Sequence, residues 1–89
     1  MITVLVTDEF KRRYLELPSR IKKKAEKQEK LFRQNPFYPS LHTEKLEPKN
    51  NQVWSFRVDQ EYRVIFRFLD GRTALFLTIG THRWIYRII

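Results

Sequence analysis

From Trp54 to Phe68 apolar residues largely alternate with polar ones, a further apolar run ends at Gly80, and two short turn signals divide the stretch, a pattern that commits the second half of the chain to antiparallel strands. Trp54, Phe56 and Val58 alternate with Ser55 and Arg57, and Tyr62, Val64, Phe66 and Phe68 alternate with Arg63, Ile65 and Arg67. A third run, Ala74 to Gly80, follows Asp70-Gly71, a two-residue hairpin signal. A loop of Asp59-Gln60-Glu61 pairs Val58 with Tyr62, which sets Arg57 directly opposite Arg63. A turn at Asp70-Gly71 pairs Leu69 with Arg72 and sets Arg63 opposite Thr78. Strict alternation then sends Trp54, Phe56, Val58, Tyr62, Val64, Phe66, Phe68, Leu75, Leu77 and Ile79 to one face, the core. Arg57, Arg63, Arg67, Thr78 and Gly80 fall on the other. If the third strand continues, His82, Trp84 and Tyr86 share that outer parity.

The first half supplies a cover for the core face. Ile2 to Val6 is a short β-branched run that suits an N-terminal strand. Thr7 offers an N-cap, with Asp8 and Glu9 in the first helical turn where the dipole favours negative charge. Phe10, Tyr14 and Leu17 recur at helical spacing until Pro18. Ser19 is placed to cap a second helix whose stripe is Ile21, Ala25, Gln28 and Phe32, joined by Leu31, and Asn35-Pro36 ends it. Residues 36–51 hold three of the four prolines and read as an ordered loop. The expected fold is α+β: an N-terminal strand and a two-helix hairpin packed on an antiparallel sheet, in a single domain spanning residues 1–89.

Composition narrows the chemistry. In 89 residues, 18 Lys and Arg stand against 10 Asp and Glu, a net charge of +8, which points to a polyanionic partner. Hydrophobic residues at 42% and aromatics at 15% are ample for a packed core, so the charge does not mark a disordered tail. The absence of cysteine excludes disulfides, Cys-ligated zinc, iron–sulfur clusters and thiol catalysis. Two histidines, His42 and His82, cannot build a His-rich metal site, and no metal or other cofactor is expected. No apolar run approaches the ~20 residues of a membrane span, and residues 1–7 lack a signal-like start, so a cytoplasmic protein without membrane attachment is expected.

Two opposed guanidiniums on a sheet face call for an explanation, because like charges across a ladder destabilise it. An anion between Arg57 and Arg63 replaces their repulsion with two charge-assisted attractions. The competing reading is a solvated face on which arginine is a strand-tolerant solubiliser. On the anion reading, Arg63→Ala removes function and leaves the sheet intact or slightly more stable. The lysines of the second helix, including Lys22, Lys23 and Lys27, read as a solvated face that adds non-specific phosphate attraction. Trp84 and Tyr86, beyond the sheet, are the candidates for base stacking.

Three strings, taken in order, resemble the RelE/ParE superfamily of small toxins from bacterial toxin–antitoxin systems. They are the loop from Pro39 to Leu46 (PSLHTEKL), the hairpin from Trp54 to Phe66 (WSFRVDQEYRVIF) and the tail from Ile79 to Arg87 (IGTHRWIYR). The resemblance covers nearly the whole chain and favours the RelE/YoeB-like messenger RNA interferase branch. It implies a ribosome-dependent endoribonuclease acting on mRNA in the 30S A site, held in check by a cognate antitoxin, with the free toxin a monomer or weak dimer. Other branches inhibit DNA gyrase, and some relatives only bind nucleic acid; these readings remain the alternatives.

For the ribonuclease branch, attack by the RNA 2′-hydroxyl on the neighbouring phosphate needs a base, stabilisation of a phosphorane-like transition state and an acid for the 5′-oxygen, without a metal. By resemblance Arg57 and Arg63 hold the scissile phosphate, and His82 and Tyr86 lie where the family places acid, base or stacking groups. Glu44 and Lys45 occupy the loop that carries a carboxylate base in some branches and lysines in others. Glu44 is assigned as base, His82 as acid and Lys45 as electrostatic support, an assignment open to exchange among these residues. Arg67, Trp84, Lys22, Lys23 and Lys27 are assigned to RNA and phosphate binding. Arg83 departs from the pattern, since similar tails often follow the histidine with an acidic residue.

Overall fold

A computed structural model describes residues 1–46 and 51–88. Residues 47–50, part of the loop expected over 36–51, lie outside the described residues, as does Ile89. The elements are β1 (Thr3–Val6), α1 (Asp8–Leu15), α2 (Ser19–Gln34), a 3-10 turn (Pro39–Leu41), β2 (Glu44–Lys45), β3 (Trp54–Arg57), β4 (Tyr62–Asp70), β5 (Thr73–Thr81) and α3 (His82–Ile88). The sheet has five strands in the order β1-β5-β4-β3-β2. Every pairing is antiparallel except that of β1 with β5, which is parallel. The helices α1 and α2 carry the chain from β1 at one edge of the sheet to β2 at the other, and the antiparallel run from β2 to β5 returns it to pair with β1.

Thr7 caps α1 as its position requires: its hydroxyl accepts from Phe10 N at 3.0 Å and donates to Leu77 O at 2.7 Å, which ties the cap to β5. Ser19 does not cap α2. The cap position falls to Pro18, which has no side-chain donor or acceptor, and Ser19 is the first helical residue. The stripe Ile21, Ala25, Gln28 and Phe32 is buried as its spacing demands. Phe32 sits at the centre of an aromatic cluster, with ring centroids 5.1 Å from Phe56, 4.9 Å from Phe66 and 5.3 Å from Phe76. Edge and offset contacts of this kind add to area burial and hold the helix layer on the sheet.

The register departs from expectation in β5. The reversal lies at Gly71-Arg72, with Asp70 opposite Thr73, because the Asp70 carboxylate accepts from Arg72 N at 2.7 Å and builds the turn itself. Arg63 pairs with Gly80 rather than Thr78. The ladder then shifts: Ile65 pairs with Thr78 but Phe66 with Phe76, so Leu77 is an extra residue, and the phase of β5 inverts. Ala74, Phe76 and Ile79 therefore enter the main core, while Leu75 does not.

Leu77 turns to the opposite face. There a second apolar cluster of Leu46, Ile65 and Ile85 is joined by Val53, Leu77 and Trp84. The third strand does not continue through His82: residues 82–88 form α3, which folds over this second cluster. Among the described residues no helix is long and apolar enough to cross a membrane.

Candidate active site

The outer face of the β3–β4 hairpin carries Arg57 and Arg63 as directly opposed partners. The loop between them is shaped by Asp59, whose Oδ1 accepts from Glu61 N at 2.8 Å and Tyr62 N at 2.7 Å. Arg57 is exposed. Arg63 is bent back on the loop: its Nη1 donates to Asp59 O at 2.8 Å and to Gln60 O and Tyr62 O, each at 3.1 Å. Among the described residues its Nη2 and Nε make no hydrogen bond, so one edge of the guanidinium stays open to an anion. Burial and then the like charge of Arg57 lower the Arg63 pKa, while Tyr86, Asp59 and Glu44 act in the opposite direction. Those influences define the neighbourhood: Arg57, Glu44 and Tyr86 all lie within electrostatic reach of Arg63.

Glu44 stands opposite Ser55 on β3, and Lys45 opposite Trp54. Ser55 and Arg57 share a face, so Glu44 joins the arginines and Lys45 is turned to the other side. There the Lys45 ammonium lies 5.8 Å from the Trp54 ring centroid. The two neighbours in sequence are thus separated by the sheet.

At the other side of the pair, α3 starts where Thr81 Oγ1 accepts from Trp84 N at 3.2 Å and His82 N donates to Glu61 O. One turn apart, His82 and Tyr86 lie on the same side of α3 with ring centroids 4.4 Å apart, edge to face, and both are exposed. His82 also lines an open cleft of about 490 Å³ with Gln60, Glu61, Thr81 and Arg83.

Trp84 is not free to stack on a base. One face of its indole rests on Gly80, where a Cβ would meet Trp84 Cε3 at 2.5 Å, and Arg13 lies 3.8 Å from the ring centroid. Arg67 is exposed on the same sheet face as Arg57 and Arg63. Lys22, Lys23 and Lys27 belong to α2, which packs on the opposite face, so they are not brought to the arginine pair.

Gln28 carries a role that its place in the stripe only hinted at. The buried amide donates to Arg57 O at 2.9 Å and to Ser40 O at 3.2 Å, pinning the end of β3 and the 3-10 turn to α2. A polar residue in an otherwise apolar stripe was the available signal, since such a group is buried only when bonded. Gly80 and Arg13 left no comparable trace, because their partner is a residue far along the chain. Among the described residues no three His, Cys, Asp or Glu side chains are grouped to hold a metal ion.

Opposed arginines, a carboxylate on the same face and an imidazole–phenol pair beside them are equipped to bind a phosphodiester and move protons on both sides of it. No curated protein matches the sequence. Among solved structures the chain is similar to the YoeB/ParE toxin from Agrobacterium tumefaciens, at 19% identity and a TM-score of 0.75, over 91% of this chain and 99% of that one. It is similar to YafQ from E. coli at 14% identity and a TM-score of 0.76, over 97% of this chain and 99% of that one. It is also similar to a chain of the RelB-RelE antitoxin-toxin complex from Methanococcus jannaschii, at 19% identity and a TM-score of 0.73, over 96% and 98% of the two chains. These likenesses establish the shared fold. A family model described as the RelE-like toxin of type II toxin-antitoxin system HigB matches residues 8–79, which contain Glu44 and both arginines. The chain belongs to this family of HigB-like, RelE-like toxins of type II toxin–antitoxin systems.

Proposed function

We propose that this toxin is a metal-independent endoribonuclease that cleaves mRNA on the ribosome in the cytoplasm and is neutralised by a cognate antitoxin. The observation that carries the reading is the pairing of Arg57 with Arg63 on a face that also holds Glu44, with Tyr86 of α3 within electrostatic reach of Arg63. Two like-charged residues paired across a ladder are unfavourable alone and become favourable around a phosphate.

In the proposed reaction Glu44 takes the proton of the 2′-hydroxyl, and the 2′-oxygen forms a bond to the adjacent phosphorus. The extra negative charge of the phosphorane-like transition state falls on Arg57 and the open edge of Arg63. His82, supported by the edge of Tyr86, gives its proton to the departing 5′-oxygen as the P–O5′ bond breaks. The products are a 2′,3′-cyclic phosphate and a free 5′-hydroxyl. The positive charge of the chain, +8, favours both the RNA and an acidic covering segment of the antitoxin.

Induction of the toxin followed by primer-extension mapping of transcripts tests the reading. Cuts within translated codons that disappear in Arg57→Ala are expected. Intact messages accompanied by inhibited DNA supercoiling would overturn it in favour of a gyrase-directed toxin.

A further inference from the structure

We infer that Arg13 of α1 is a positioning residue that, through Trp84, sets where His82 and Tyr86 stand beside the arginine pair. This inference rests on the assignment of His82 and Tyr86 to the site. The helix α3 has seven residues, fewer than two turns, and cannot hold its helical form without tertiary support. Its anchors are Ile85 in the outer apolar cluster and Trp84, whose indole packs against Gly80 and has the guanidinium of Arg13 over its ring.

Two contacts specify that indole. At position 80 only glycine fits, since a Cβ there would come within 2.5 Å of Cε3 and 2.9 Å of Cζ3. Gly80 is also the residue paired with Arg63, so the ring rests on the backbone directly across from the catalytic arginine. Arg13 contributes a cation above the ring rather than a hydrogen bond: its Nε is buried with no hydrogen-bond partner among the described residues, and its ion pair with Glu9 is long at 3.6 Å. A shift of Trp84 rotates or lifts α3, and the His82–Tyr86 edge moves with it relative to Arg63.

The test uses the full chain in four variants: Arg13→Ala, Arg13→Lys, Glu9→Gln and Gly80→Ala. Backbone amide exchange of α3 is compared with that of α2 and β4, and RNA cleavage is resolved into kcat and KM. Arg13→Ala is expected to speed exchange in α3 roughly 5- to 20-fold, as the loss of one cation–π contact allows, with α2 and β4 unchanged. The same variant is expected to lower kcat by a similar factor at unchanged KM. Arg13→Lys keeps a cation over the ring and should recover both readouts; Glu9→Gln should match the unmodified chain. Gly80→Ala should loosen α3 by displacing the indole at its contact with position 80.

Unchanged α3 exchange in Arg13→Ala overturns the clamp, and a loosened α3 with unchanged kcat overturns its positioning role. Should the unmodified chain cut no RNA, the ribonuclease reading fails on its own, while the exchange measurement still decides whether Arg13 holds α3.

Discussion

Arg57 and Arg63 are paired residue to residue across β3 and β4, yet their guanidiniums do different work. Arg63 donates to three carbonyls of the loop that joins the strands, whereas no hydrogen bond ties the Arg57 side chain within the described residues. The expectation that Arg63→Ala leaves the sheet intact or steadier therefore needs revision. That variant loses charged hydrogen bonds and should be destabilised by about 0.5–1.5 kcal/mol. Arg57→Ala is the cleaner probe: stability within about 0.5 kcal/mol of the parent and RNA cleavage lower by about 100-fold or more. Urea denaturation alongside single-turnover cleavage checks both, and an Arg57→Ala chain that folds and cuts normally would remove the arginine pair from the mechanism.

The acid and base are separable by substrate chemistry. His82→Gln should slow cleavage by about 10²- to 10⁴-fold, the usual range for a lost proton-transfer group. An RNA with sulfur replacing the scissile 5′-oxygen has a leaving group that needs no protonation, so on it the His82→Gln defect should largely disappear. Glu44→Gln should remain slow on both substrates. Rescue of Glu44→Gln instead of His82→Gln would exchange their roles, and rescue seen only with Tyr86→Phe would name the phenol as acid.

Some of this architecture was legible in the sequence for definite reasons. Alternation from Trp54 to Phe68 with a three-residue loop leaves one sensible register, and Arg57 stands opposite Arg63 as that register requires. The phase of β5 was not legible. Its bulge at Leu77 has no residue-type marker and exists because Phe76 joins the Phe32 cluster while Leu77 joins Ile65 and Ile85 behind the sheet. The last helix was hidden as well: His82, Trp84 and Tyr86 mimic strand alternation, and seven residues are too few for a helical period to show. Glu44 and Lys45 looked like neighbours in a loop; only the two-residue strand they form places them on opposite faces.

Asp70 makes the β4–β5 turn sensitive to acid. The hydrogen bond from Arg72 N is the leading cause that holds its carboxyl below the ordinary 3.8. A depressed folded-state pKa means a stabilising contribution that is complete above the unfolded value and lost as pH falls through the folded one. Asp70→Ala should therefore have a lower urea midpoint than the parent near pH 6, with the gap narrowing as the pH is brought below about 3. A gap that is constant over this range would show that the carboxylate does not build the turn.

Gln28 joins the helix layer to the site through two carbonyls, Arg57 O at 2.9 Å and Ser40 O at 3.2 Å. Gln28→Leu fills the same space but removes the donor to Arg57 O and one of the two side-chain neighbours of Ser40 O, the other being His42 Nδ1 at 3.4 Å, at a cost of about 1–3 kcal/mol. Because one of those carbonyls belongs to Arg57, cleavage should fall more than the lost stability accounts for. Gln28→Glu separates packing from bonding. At neutral pH its carboxylate faces two carbonyl oxygens in a buried place, which raises the folded-state pKa above the ordinary value of about 4.3. With the sign that a raised pKa imposes, stability is greatest at low pH, where the protonated acid donates one bond, and is lost as the acid ionises. Gln28→Glu should thus be less stable than Gln28→Leu near pH 7.5 and approach or exceed it near pH 4.5, by paired urea titrations. Parallel titrations with no crossing or convergence would mean that the amide contributes volume rather than hydrogen bonds.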